Sequence, residues 1–491
     1  LRGIKASVQD TSGFKIRITT RHQPIRNSHK GCFWGGTYAQ SLSQFRENFS
    51  ASVEERLLSD VELGVYLSGG IDSKAVAFEL AQALTKRNRT WQRSALKSFT
   101  VGFESAGYDE TDEAVAFARS LHFEPHVLTL SNAALNYSYP HAVHISENLQ
   151  PYTNGSAKWW LSLFARQSVL GVLTGDGADE LLCGYPSFRY CAWWAFSQRN
   201  RPQGVPLGQR WRDSVYTRKF MNQSRDPWLA GSSAEGRGDD FTASLALWGV
   251  PHPLFGQILA ITESILGAAE ARIWLAAQGP SVRSWFLHGL EPASKNDAAF
   301  PLNPENALLL WQNYFCLTHL PVQVLNWVGD RMEMANTLEG RTPFLSGRMR
   351  RFLFSLPDVA LVQGFTDKAV LRKAYASQFP RHFALTPKKQ FNAPFVQSSA
   401  LFRSFDTDGI LNRMGISASK AGVEHALLRE SEAGPSEHLS AGERYLRAHR
   451  LSALQTLICS AIVDRSLVEE NPPQRDHEFE NHIIRTGGPL S

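Results

Sequence analysis

The sequence predicts an α/β protein with a doubly wound, mostly parallel sheet and additional C-terminal helices. Three observations predict it. Short apolar runs alternate with helical patterns of ten or more residues between Ser41 and Leu173. Two of these runs end in glycine turns that carry acidic residues, Ser68-Gly69-Gly70-Ile71-Asp72-Ser73 and Thr174-Gly175-Asp176-Gly177-Ala178-Asp179-Glu180. Each glycine turn leads straight into a helical pattern. Alternation of this length gives a parallel sheet covered on both faces. Right-handed crossovers then bring the strand-end loops to one edge, where such sheets bind ligands.

The elements follow in order. Phe14-Lys15-Ile16-Arg17-Ile18 alternates like a strand. From Ser41 the pattern turns helical, with Leu42, Phe45, Phe49, Val53, Leu57 and Leu58 on one face. Val61 to Leu67 reads as a buried strand and Lys74 to Leu84 as a helix. Phe99 to Phe103 is a second strand, Thr111 to Leu121 a second helix, and His126 to Leu130 a third strand. Ser156 to Gln167 is helical and Val169 to Leu173 is a fourth strand. Residues 197–241 interleave Gly, Pro, Ser and Arg and read as an inserted loop. Helical pattern resumes near Leu245 and runs with breaks to Leu356; Ser431 to Ser436 reads as a loop and Ala441 to Cys459 as a helix. After Asn471 the chain is polar with two prolines, and fraying is expected.

With 491 residues the chain is long enough for two or three units. The division expected is an N-terminal segment 1–40, a main domain 41–400, a helical extension 401–470 and a flexible tail 471–491. The net charge of +5 is dispersed, so no nucleic-acid partner is expected. No run of about 18 apolar residues occurs, and no membrane span is expected. The start, Leu1-Arg2-Gly3-Ile4-Lys5, has no signal-peptide core. Five cysteines at irregular spacing, without Cys-x-x-Cys, fit a reducing, cytoplasmic setting better than a disulfide framework or a zinc site.

The first glycine turn has the chemistry of a phosphate cradle. Glycines let backbone N–H groups approach an anion, and the following helix start adds unpaired donors and partial positive charge. Ser68 and Ser73 add hydroxyls. Asp72 fits an anion cradle only with a cation, which points to Mg²⁺ between carboxylate and phosphates. The Walker A pattern is absent. The Ser-Gly-Gly-x-Asp-Ser loop instead marks the PP-loop type, which holds pyrophosphate while the α-phosphorus is attacked. A tight turn with an N-capping aspartate is the plainer alternative. The second turn crowds three carboxylates at a strand end, which calls for a shared cation; an Asp/Gly-rich surface turn is its plainer alternative.

Beyond these turns the chain resembles the synthetase half of the asparagine synthetase family, relatives of which include β-lactam synthetases and lasso-peptide cyclases. The resemblance rests on Leu67 to Ser73, Thr100-Val101-Gly102-Phe103 and Thr174 to Tyr185. It continues through Asp330-Arg331-Met332, Leu338-Glu339-Gly340-Arg341-Thr342-Pro343-Phe344-Leu345, Asp367-Lys368 with Leu371-Arg372, and Lys388-Lys389-Gln390-Phe391-Asn392-Ala393-Pro394. These blocks span about residues 45–395.

The resemblance implies a PP-loop ATP pyrophosphatase fold and an AMP-forming amide ligase that uses ATP and Mg²⁺. Ser68, Gly69, Gly70, Asp72 and Ser73 match the pyrophosphate loop. Leu67, Val101 and Gly175 match adenosine-lining positions, and Asp72 with Asp179 the Mg²⁺ pair. Lys388 matches the catalytic lysine, with Lys389 the alternative one register on. A cation is needed there for charge growing on the α-phosphate and the tetrahedral carbon. Asp176 is either the proton acceptor for the incoming amine or a structural turn carboxylate. Asp330, Arg331, Glu339 and Arg341 are either acyl-substrate contacts or buried ion pairs.

Implied partners are a small-molecule carboxylate with ammonia or an amine, a separate glutaminase subunit as one ammonia source, and a homodimer as an assembly compatible with the family. Family glutaminases use an N-terminal cysteine. Here the sequence begins at Leu1 and Cys32 is internal, so glutamine hydrolysis is not expected of these residues. Ser346 replaces a usual aspartate, and Lys74 replaces a small residue, either adding charge near the phosphates or being solvated. The segment 186–320, which aligns with no family block, favours a specialised synthetase or cyclase of secondary metabolism as an alternative to asparagine synthesis. An inactive scaffold and a nucleoside- or tRNA-modifying adenylase are further alternatives. His122, His126, His141 and His144 lack ligand spacing, and Trp159-Trp160 is read as packing on the sheet.

Overall fold

The computed structural model describes residues 36–86, 96–104, 110–148, 152–185, 187–189, 191–192, 244, 247–248, 255–287, 307–363, 366–379, 393, 473–485 and 488–489. Strands β1 (Leu63–Tyr66), β2 (Lys97–Phe103), β3 (Glu124–Leu130), β4 (Gly171–Leu173) and β5 (Glu339–Arg341) are parallel neighbours in the order β5-β4-β1-β2-β3. A short strand β6 (Gly488–Pro489) adds antiparallel to β3, with His126 opposite Pro489. Strand order reverses between β1 and β4, where Val65 pairs with Leu173. Both glycine turns leave the sheet there, at the switch point where open parallel sheets receive ligands.

Side-chain alternation divides the core into two layers. Leu63, Val65, Leu67 and Leu173 face one side with Phe45, Phe49, Leu80 and Phe117. Tyr66, Phe99, Leu128 and Val172 face the other with Tyr139, Trp159, Trp160 and Phe164. The first side is covered by α1 (Tyr38–Glu55), α2 (Ile71–Lys86) and α3 (Thr111–Ser120), the second by α4 (Asn132–Ser146) and α5 (Asn154–Ala165). Thr37 and Gln40 form a capping box that starts α1, and Ser131 caps α4. Trp159 and Trp160 are core residues, and Trp160 Nε1 donates to the Ala134 carbonyl at 2.9 Å.

After β4 come α6 (Ala178–Leu181), α7 (Phe255–Leu266), α8 (Ala268–Leu287), α9 (Ala307–Leu317), a π-helix (Leu320–Trp327) and α10 (Asp330–Met334). β5 is followed by α11 (Gly347–Ser355), α12 (Asp358–Leu361) and α13 (Ala369–Tyr375). Ser346 Oγ accepts from Met349 N–H at 3.1 Å and caps α11. Serine and aspartate are both strong N-caps, so the local departure from the family pattern preserves the cap.

The segment after Asn471 departs from the expected frayed tail. Helix α14 (His477–Arg485) docks on α4 and α5: Glu480 is buried, pairs with Arg475 at 2.7 Å and accepts from Tyr137 at 2.8 Å. Phe479 packs on Tyr137, and β6 then reaches the sheet. The polar tail is held by the buried Glu480 carboxylate and by Phe479 and Arg475 packing on Tyr137, Trp160 and Trp159, contacts that periodicity does not show. The expected strand Phe14 to Ile18, the loops 197–241 and Ser431 to Ser436, the helix Ala441 to Cys459 and the extension 401–470 lie outside the described residues. Among the described residues no helix is long and apolar enough to cross a membrane.

Candidate functional site

Leu67 leaves β1 pinned from both sides. Its N–H donates to the Phe99 carbonyl at 3.0 Å, and its carbonyl accepts from Thr100 Oγ1 at 2.8 Å. The turn beyond is closed by its serines. Ser68 N–H donates to Ser73 Oγ and Gly70 N–H to Ser68 Oγ, each at 3.1 Å, while Ser73 Oγ reaches the Gly70 carbonyl at 3.1 Å. Helix α2 starts at Ile71 and aims its positive end at the turn. Gly69 lies beneath the Glu110 and Glu113 carboxylates. Gly175, from the second turn, packs against Asp72 and Ser73. Val101, half-buried in β2, is one residue past Thr100. Leu67, Ser68, Gly69, Gly70, Asp72, Ser73, Val101 and Gly175 thus gather at one sheet edge.

Asp72 and Asp179 converge on a single cation, the ammonium of Lys368. Its Nζ lies 2.6 Å from Asp179 Oδ1 and also pairs with Asp72 Oδ2. The lysine is wholly buried and the carboxylates nearly so. Lys368 precedes α13 in the left-handed backbone region, φ 49°, which is uncommon outside glycine. Gly184 admits it: a Cβ there would fall 2.0 Å from Lys368 Cε and 2.1 Å from Asp179 Oδ1. Behind Asp179, burial and then the Asp179 charge push the Glu180 carboxyl up to about 7. Tyr185 donates its hydroxyl to Glu180 at 2.5 Å. Burial pushes His319 down to about 4, partly opposed by Asp179.

Asp176 sits on the other side of the second turn, half-buried. Its Oδ2 accepts from Thr174 Oγ1 at 2.8 Å and lies 3.7 Å from Lys158 Nζ. Lys158 comes from α5 and pairs with Glu333 of α10 at 2.9 Å, 4.1 Å above the Tyr66 ring. Burial would depress the Lys158 ammonium, but Glu333 and Asp176 outweigh it and hold it above its ordinary value. Burial raises the Glu333 carboxyl against the opposing pull of Lys158.

Lys74 is not solvated, and the Glu113 carboxylate it pairs with overlies Gly69 of the first turn. It is fully buried and spends its charge on Glu113, 2.5 Å away, bracing α2 to α3. Asp330, Arg331 and Glu339 are exposed rather than buried ion pairs; Arg331 reaches Glu147 at 3.6 Å. Arg341 pairs with Glu339 at 3.0 Å and donates to the Arg56 carbonyl at 2.6 Å, tying β5 to the end of α1. Lys388 and Lys389 lie outside the described residues. Sequence reasoning gave no role to Lys368, Lys158 or Glu333. Lys368 stood inside a matched block, and Lys158 interrupts the apolar run Ala157 to Leu161, which is the signal each offered.

The asparagine synthase family model matches residues 44–454. This chain belongs to the asparagine synthase family. Curated proteins similar to it include Amidase chry2 of Gibberella zeae, 25% identical over 344 residues, covering 67% of this chain and 49% of that protein. A putative glutamine-hydrolysing asparagine synthetase of Mycobacterium tuberculosis is 28% identical over 358 residues, 70% of this chain and 46% of that protein. Asparagine synthetase 2 of Bacillus subtilis is 27% identical over 359 residues, 71% of this chain and 38% of its own length. The matches thus span about half or less of each of these relatives. Within the family match lie both glycine turns, Lys158, Glu333 and Lys368.

Proposed function

We propose that this asparagine synthase family chain is an ATP-dependent, AMP-forming ligase that joins a carboxylate to ammonia or an amine. The observation that carries the reading is the convergence of Asp72 and Asp179 on one cation beside the serine-closed turn. Two carboxylates sharing a cation at this edge suit Mg²⁺, which takes one or two protein carboxylates and completes its shell with phosphate oxygens and water. Asp72 and Asp179 would hold it, with Lys368 giving way. Bound there, the ion would neutralise charge on the departing pyrophosphate.

The chain's own groups supply the rest. Ser68, Gly69, Gly70 and Ser73 offer hydroxyls and N–H groups to the pyrophosphate once their mutual bonds open. The substrate carboxylate attacks the α-phosphorus, pyrophosphate leaves, and the amine displaces AMP from the acyl carbon. Asp176 accepts the amine's proton, because an ammonium has no lone pair with which to attack. Lys388 is assigned the cation that faces the α-phosphate and tetrahedral carbon. Similarity is comparable to relatives named asparagine synthetase and to Amidase chry2, so the acids to be tested extend beyond aspartate. The test is a pyrophosphate-release screen over carboxylic acids with ammonia and with amines. AMP and pyrophosphate are the expected products, both lost in Asp72→Ala; ADP as product would overturn the reading.

One observation favours a second reading, an inactive scaffold. Lys368 already pairs with both carboxylates, so part of their charge is compensated without a metal. ATP–pyrophosphate exchange that stays at background with every acid would favour it.

A further inference from the structure

Lys158 is a costly residue. Its side chain is 7% exposed, buried beneath the sheet among Trp159, Trp160 and Tyr66. A buried ammonium is tolerated only with a counter-charge. Glu333 is the nearer counter-charge, 2.9 Å away and 3% exposed. The fold makes room for this partner at Gly340 in β5, where any Cβ would fall 1.8 Å from Glu333 Oε2. Lys158 and Glu333 therefore already form a neutral pair.

The network goes one carboxylate further. Asp176 lies 3.7 Å from the same ammonium and is 23% exposed, unlike Glu333. The surplus negative charge of the trio sits on its most exposed member, on the loop that follows β4 at the ligand edge. An ion pair that served only to hold α5 to α10 would end at Glu333. Here a buried cation, anchored from behind by Glu333, faces the loop carboxylate from below, while Thr174 Oγ1 holds it from the side at 2.8 Å.

We propose that Lys158 is a positioning residue for amine capture: anchored by Glu333, it fixes the Asp176 carboxylate at the site, so that the second half-reaction depends on it and the first does not. The assignment rests on the ligase reading above. Adenylation uses the turn after β1 and the Asp72–Asp179 pair, neither of which touches Lys158 in the described contacts. Transfer to the amine uses Asp176. Misplacing a catalytic group by about 1 Å can cost roughly a hundredfold in rate.

The test separates the half-reactions. Lys158→Met alone leaves Glu333 buried beside an apolar side chain and endangers folding. The paired variant Lys158→Met with Glu333→Leu removes both charges together, an exchange that buried pairs tolerate. In it, acid-dependent pyrophosphate formation stays within about twofold, while kcat for amide formation falls by roughly 10- to 100-fold. Lys158→Arg, which keeps the cation, restores a large part of the loss. Equal loss of both half-reactions, or an unchanged amide rate in the paired variant, overturns the proposal. Crystal structures of wild type and paired variant read it independently of any substrate. Asp176 is expected in one rotamer in the first and in several in the second; one unchanged rotamer overturns the assignment. A wild type that forms no pyrophosphate with any acid fails the ligase reading, and the Asp176 rotamers still decide this one.

Discussion

Replacing Lys368 with methionine tests whether Asp72 and Asp179 form a divalent-cation site or a closed ion-pair cluster. The wild-type ammonium is wholly buried, 2.6 Å from Asp179 and in contact with Asp72. At an effective dielectric of about 20, a contact of that length carries roughly 6 kcal/mol of Coulomb attraction before desolvation. Removing one partner of such a cluster typically costs about 3–5 kcal/mol, because the remaining charge stays buried and uncompensated. Two carboxylates lose that partner here, so a cost in this range is expected in metal-free buffer. At roughly 2 °C per kcal/mol the midpoint falls by about 6–10 °C. Mg²⁺ then has a vacated site with two carboxylates. At roughly 100 times its Kd it returns about 2.7 kcal/mol. In wild type it must first displace the ammonium, so its stabilisation is smaller. The assay is unfolding by urea or heat with chelator and with saturating Mg²⁺, for both proteins. A variant whose stability ignores Mg²⁺, or a wild type that gains as much as the variant, would refute the shared-cation reasoning.

Two further outcomes are expected. His141, buried and stacked on Trp159 with centroids 5.8 Å apart, has its imidazole pushed down to about 4 by burial. Its ordinary value is 6.5, so the unfolded chain binds the proton first as pH falls, and stability drops between pH 6.5 and about 4. His141→Phe keeps the stack and should reduce that acid loss by up to about 3 kcal/mol, measured by urea unfolding across the window; parallel pH curves would contradict it. Gly184→Ala drives a methyl into Lys368 and Asp179, and should cost about 1–3 kcal/mol, as overpacking does. It should also abolish any Mg²⁺-dependent shift in the same melts.

The sheet was legible where its chemistry is local. β1 to β4 are short apolar runs, and the glycine turns after β1 and β4 are local in the sequence. α4 was not legible, because Pro140 and interspersed Ser, Tyr and His break its apolar periodicity. β5 was invisible as a strand. It is three residues long, Glu339-Gly340-Arg341, and its Gly lacks a side chain because Glu333 occupies that space. That Asp72 and Asp179 both pair with Lys368 was not legible, since Lys368 lies 296 positions from Asp72 and only the fold joins them. Lys158 and Glu333 escaped for the same reason: each looks like an ordinary helix residue until α5 and α10 are packed.

The short strand β6 has a consequence for synthesis of the chain. β3 ends at Leu130, yet the residues that close its outer edge, Gly488 and Pro489, are joined some 358 positions later. At ribosomal rates of about 5–20 residues per second, that interval lasts roughly 20–70 s. Throughout it, the nascent chain carries a strand edge whose native partner has not yet been made. Such edges template pairing with other chains. Yield of this protein should therefore respond to chaperone supply and elongation rate during translation, more than to the equilibrium stability of the finished molecule.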